Sequence, residues 1–157
     1  MSRNQRVAVA LVAAALVVGL AAPAIGGGEK QSSRLGIGLG IPYGGVGLNY
    51  ETAGQAVPTL GLGYVPGGVG WNVGLRYYLK PPGTTNINWR ITAFYGVNTI
   101  LDTGSEYDTR TGVSLAIGVK NAKGFDADLV IPFTNVPAGY EEAGAALKLS
   151  LGWRISG

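Results

Sequence analysis

The chain has 157 residues, of which 13% are charged and 27 are glycine, with a mean hydropathy of +0.23. A soluble domain carries about a quarter charged residues and about 7% glycine, so much of this surface is not made for water. Cysteine and histidine are both absent, which excludes a disulfide framework, cysteine–histidine metal sites and histidine-based acyl transfer.

Arg3 and Arg6 open a short polar start, followed by an unbroken apolar run from Val7 to Leu20 and the small residues Ala22-Pro23-Ala24. That order predicts a secretory signal peptide over residues 1–24, cleaved after Ala24. A membrane anchor is the alternative, but Val7–Leu20 falls short of the roughly 20 apolar residues a span needs. Residues 25–33 are glycine and polar and read as a flexible leader. The formal charge of +3 includes the two early arginines. From Ile25 onward ten Lys+Arg face nine Asp+Glu, which leaves +1 and no basic footprint for nucleic acid.

Residues 34–157 form one domain of eight candidate strands. Leu35, Ile37, Leu39 and Ile41 alternate with Gly36, Gly38 and Gly40, up to a turn at Pro42-Tyr43-Gly44. Val46, Leu48 and Tyr50 alternate with Gly47 and Asn49, and Glu51 to Val57 reads as a connector. Leu60, Leu62 and Tyr64 alternate with Gly61 and Gly63, up to a tight turn at Pro66-Gly67-Gly68. Val69, Trp71, Val73, Leu75, Tyr77 and Leu79 then alternate with Gly70, Asn72, Gly74, Arg76 and Tyr78. After a proline-rich connector, Ile87 to Gly96 alternates, and Val97 to Arg110 is the longest irregular stretch. Val113 to Lys120, Phe125 to Phe133 and Ala145 to Ile155 complete the set, with a loop from Thr134 to Glu142. Short connections make sequential neighbours antiparallel. No helical periodicity follows the leader.

Period-two alternation puts bulky apolar residues on one face and glycine, amides and charges on the other. In a soluble sheet the second face would meet water, where glycine contributes no packing and costs chain entropy. The alternative puts the apolar face against lipid. With odd strands running outward from the periplasm, Tyr50, Tyr77, Trp89, Phe125 and Trp153 fall near one end, and Tyr64, Trp71, Tyr95 and Phe133 near the other. All nine share the apolar parity, as lipid-interface aromatics of a membrane barrel do. Closure is then required, because an open edge in lipid leaves backbone groups without partners. Signal peptide, eight alternating strands, aromatic strand ends and the final strand Ala145 to Ile155 together resemble the small outer-membrane barrels of the OmpA and OmpX type. The resemblance implies an all-β, eight-stranded, antiparallel up-and-down transmembrane barrel in the outer membrane of a diderm bacterium.

The inward face carries Arg76, Arg90, Lys120, Asp126, Asp128, Lys148 and Arg154. In a narrow, low-dielectric lumen these are expected to pair. They predict either a salt-bridged plug or a polar, anion-preferring conduit, and eight strands leave room for side chains and little else. Glycines crowd the lumen face of the first four strands. Either the wall flattens toward Tyr78, Arg90 and Phe94, or another segment or molecule enters. Asp126 and Asp128 could form a carboxylate dyad, but the basic residues on the same face favour ion pairing. Asp102, Glu106 and Asp108 lack EF-hand spacing. Gly36-Ile37-Gly38-Leu39-Gly40 has no following helix and is not a nucleotide loop.

No cofactor, no metal and no enzymatic activity are expected. The expected role is structural or interactive, in contact with outer-membrane lipid, either alone or as a small subunit of a larger envelope assembly contacted through loops 97–110 and 134–142. Two alternatives stand beside it. One is a minimal pore or small-ligand carrier, and the other is a secreted soluble β-barrel that binds an apolar ligand.

Overall fold

A computed structural model describes residues 34–81, 83–138, 140–142 and 148–155. The signal peptide and leader expected over residues 1–33 lie outside the described residues. The chain forms β1 (Arg34–Gly40), a single 3-10 turn (Ile41–Tyr43), β2 (Gly45–Glu51), β3 (Ala56–Val65), β4 (Gly68–Tyr78), β5 (Ile87–Asp102), β6 (Tyr107–Asn121), β7 (Phe125–Phe133), the two-residue β8 (Glu141–Glu142) and β9 (Leu149–Ile155). Every pairing is antiparallel. The strand order β4-β3-β2-β1-β9-β7-β6-β5 closes on itself through a β4–β5 ladder that runs from Asn72↔Gly96 to Tyr78↔Arg90. The result is an eight-stranded up-and-down barrel, with β8 an appendage on the far end of β5.

The alternation sets which side faces in. Ile37, Leu48, Leu62 and Trp71 lie side by side in the register of β1 to β4 and are all exposed on the outer wall. Ile91, Leu115 and Leu149 are likewise exposed, and Leu75 is half-buried on the same parity. The bulky aliphatics therefore do not meet at the centre. Of the nine strand-end aromatics, Tyr95 is half-buried and the other eight are exposed on the wall. Trp71 and Tyr95 meet edge to face with centroids 6.0 Å apart. Phe125 and Trp153 are register partners at the other end of the barrel.

Several segments differ from the sequence expectation. Val97 to Arg110 is not irregular: β5 and β6 stay paired out to Asp102↔Tyr107, past a bulge between Val97 and Thr99, as a hairpin that outruns the other strands. In the β5 half the alternation is masked because both faces are covered, with Val97, Ile100 and Leu101 all buried, whereas Tyr107, Asp108 and Arg110 in the β6 half are exposed. Glu51 belongs to β2 rather than to a connector, and β3 begins at Ala56. In the Thr134–Glu142 loop, Glu141 and Glu142 pair with Asp102 and Leu101. The described part of the last strand begins at Leu149, preceded by a helical Lys148.

The Pro42-Tyr43-Gly44 turn is the largest difference. It does not cap the barrel from outside but folds into the lumen, with Ile41, Pro42 and Tyr43 fully buried. Gly44 takes a left-handed conformation, φ 65°, that side-chain-bearing residues avoid, and so lets the chain double back. The glycines explain where the turn goes. Gly152, Gly38, Gly47, Gly63 and Gly70 form one register row across β9, β1, β2, β3 and β4. A Cβ on Gly152 would lie 1.9 Å from Tyr43 Oη, one on Gly38 2.8 Å from the Tyr43 ring, and one on Gly63 2.6 Å from the Tyr43 carbonyl. The missing side chains are the space that the turn occupies. Opposite, Phe94 packs against Gly74, whose Cβ would come within 2.7 Å of its ring. Both an inserted segment and a filling aromatic therefore operate.

Candidate functional site

Strand parity aims Glu51, Arg76, Tyr78, Arg90, Lys120, Asp126, Asp128 and Arg154 into the lumen from β2, β4, β5, β6, β7 and β9. The three arginines and three carboxylates are each at most 1% exposed, and Lys120 is 8% exposed.

Arg90 is the hub. Its Nε donates to Asp128 Oδ1 at 2.9 Å and its Nη2 to Asp128 Oδ2 at 2.7 Å, a bidentate fork, while Nη1 reaches Asp126 Oδ2 at 3.3 Å. Forked guanidinium–carboxylate pairs combine two charge-assisted hydrogen bonds with fixed orientation. Arg154 Nε donates to Asp126 Oδ2 at 2.6 Å. Arg76 Nη1 donates to Glu51 Oε2 at 2.5 Å, its Nη2 lies 4.0 Å from Asp128, and its Nε donates to Thr92 Oγ1 at 3.3 Å. Glu51 also accepts from Lys120 Nζ at 3.1 Å and from Tyr78 Oη at 3.0 Å, and sits 3.5 Å from Arg154 Nη2. Two rings flank the charges, with Lys120 Nζ 5.6 Å from the Tyr78 centroid and Arg154 Cζ 5.9 Å from that of Tyr43.

The inserted turn locks onto this cluster. Tyr43 Oη donates to Asp126 Oδ1 at 2.6 Å. Its backbone carbonyls are met from the wall: Asn49 Nδ2 donates to Pro42 O at 2.7 Å, and Asn72 Nδ2 donates to Ile41 O. Above the turn, toward the β5–β6 hairpin, the lumen becomes apolar and is filled by Ile41, Val65, Phe94, Val97, Ile100, Ala116 and Val130. One end of the barrel is thus ionic and the other greasy.

Of the inward charges named from sequence, Arg76, Arg90, Lys120, Asp126, Asp128 and Arg154 come together. Lys148 does not join them: it borders a shallow cavity with Thr99, Val130 and Thr134 at the opposite end. Its place before β9 rather than within it removes it from the strand alternation. Sequence reasoning missed Glu51 and Tyr43. Glu51 was legible, because Tyr50 faces out and the next residue of a strand faces in. Tyr43 carried no periodic signal.

Asp126 and Asp128 are both engaged by Arg90 rather than facing each other as an acid–base dyad. Asp102 accepts from the Gly104 amide at 2.7 Å and Asp108 pairs with Arg110 at 3.0 Å, both on the exposed hairpin. Among the described residues, no three His, Cys, Asp or Glu side chains converge to hold a metal ion. No helix among them is long and apolar enough to cross a membrane, which says nothing about strands. In comparisons with protein families, curated proteins and solved structures, no family model, curated protein or solved structure matches the chain.

Proposed function

We propose that this protein is a non-conducting outer-membrane barrel with a structural or interaction role, comparable in type to the small OmpA and OmpX barrels. The outward apolar wall is the observation that carries the reading. Contiguous exposed apolar surface of this extent marks a lipid or protein interface. Its height fits lipid. Val69 and Leu79 are both exposed on the outer face; ten residue steps are roughly 33 Å along a strand, and a tilt of about 40° makes that roughly 25 Å along the barrel axis, the height of a membrane barrel's apolar band.

The filled lumen supports the non-conducting part. A conduit would have to pass the inserted turn, the arginine–carboxylate cluster and the apolar cap in series. The projecting β5–β6 hairpin, with Tyr107 exposed, and the β7–β9 connection, with Val136 and Tyr140 exposed, offer the contact surface for a partner in the envelope.

Two experiments test the reading. Cell fractionation is expected to leave the protein in the envelope, released only by detergent and migrating differently on gels before and after boiling; recovery in the soluble fraction would contradict the membrane assignment. In planar bilayers the purified barrel is expected to give no stable current steps, whereas reproducible single-channel steps would replace the plugged barrel with a pore.

A further inference from the structure

The ionic end of the lumen opens into a vestibule of about 340 Å³. Arg34 at the start of β1, Lys120 near the end of β6 and Arg154 near the end of β9 all line it, together with Tyr78 and Asn88. Among the described residues lining it there is no carboxylate. Arg34 stands opposite Glu51 in the register, but the Glu51 carboxylate is taken by Arg76, Lys120 and Tyr78.

Charge does not balance at this end. Below the vestibule Arg76, Arg90, Lys120 and Arg154 face Glu51, Asp126 and Asp128, four cations against three anions, and Arg34 adds a fifth cation at the rim, beside the solvent-exposed Lys80 and Lys123 on the turns of the same end. The other described acidic residues, Asp102, Glu106, Asp108, Glu141 and Glu142, belong to segments at the opposite end. Arg154 Nη2 is buried without a hydrogen-bond partner. Arg154 is ion-paired with Asp126 and Glu51, but the cations at this end outnumber the carboxylates; such an excess in a buried site is costly, and an anion entering from water offsets that cost.

We propose that the vestibule binds a small phosphate-class oxyanion, free or carried on a small solute. Guanidinium groups favour planar, multi-point recognition of oxyanions. A phosphate group with a charge of about −1.5 to −2 matches an excess of two positive charges. The volume lies at the lower end of small-molecule pockets and exceeds that of a bare ion, which leaves room for a compact solute. Inward-facing side chains and strand-end turns form the walls, so the source is the aqueous compartment rather than lipid.

The test uses the folded protein in neutral detergent, titrated calorimetrically with inorganic phosphate and glycerol phosphate. Glycerol and matched ionic strength of sodium chloride serve as controls. The expected result is saturable binding of both phosphates, weakened about tenfold in Arg34→Gln and in Lys120→Gln, and unchanged in Arg110→Gln on the hairpin. Arg34→Gln lies at the rim outside the ion-paired cluster, so it tests binding even if Lys120→Gln impairs folding. Absence of saturable binding, an equal response to chloride, full affinity in Arg34→Gln, or competition by anionic lipid added to the micelle would each overturn the proposal.

Discussion

At the scale of single residues, the barrel's interior is specified by what is missing as much as by what is present. Gly152 is bare because Tyr43 Oη occupies the place of its Cβ. Gly152→Ala is therefore expected to cost about 1–3 kcal/mol by overpacking, and most of that cost is expected to vanish in a Tyr43→Ala background, giving a coupling of about 0.5–3 kcal/mol in a double-mutant cycle. Equilibrium unfolding in urea measures it; equal costs in both backgrounds would place Tyr43 elsewhere. Arg90 makes the opposite argument. Its truncation leaves Asp126 and Asp128 buried beside fewer cations, and Arg90→Ala is expected to destabilise by about 3–5 kcal/mol. A loss below about 1 kcal/mol would mean that water already enters the cluster.

At the scale of elements, the strands were legible and the ends were not. Alternation identified all eight barrel strands because each wall residue meets one of two very different media. It failed where that contrast disappears. In the β5–β6 hairpin the β5 strand beyond Val97 is covered on both faces, so Ile100 and Leu101 are both buried and no period of two survives there. The Ile41–Tyr43 turn is one step of 3-10 helix whose destination depends on glycines in five strands. No local signal encodes that. The ion cluster was foreseeable from inward parity, and Glu51, the last residue of β2, joins it once the strand is carried one residue past Tyr50. The buried hairpin root seals the greasy end of the lumen, so Ile100→Ala is expected to cost about 2–5 kcal/mol and to lower the temperature at which the compact gel form disappears. An unchanged transition would detach the hairpin from the barrel's stability.

At the scale of the whole molecule, the wall and the lumen have exchanged the usual roles. Polar and ionic groups pair inside, and aliphatic side chains face outward. Substitutions on the wall separate lipid from water directly. Ile117 is 50% exposed and paired with Ile91 and Leu129 in mid-wall. Ile117→Arg is expected to cost about 2–4 kcal/mol in a bilayer, whereas an exposed position in a soluble barrel would change stability by no more than about 0.5 kcal/mol.

The outward orientation of the apolar face is tested most directly by the three tryptophans, Trp71, Trp89 and Trp153, which all lie on the outer wall. The protein is refolded into vesicles whose acyl chains carry bromine atoms, and its fluorescence is compared with that in unbrominated vesicles. Contact quenching of most of the tryptophan emission is the predicted result; emission equal in the two lipids would contradict the account.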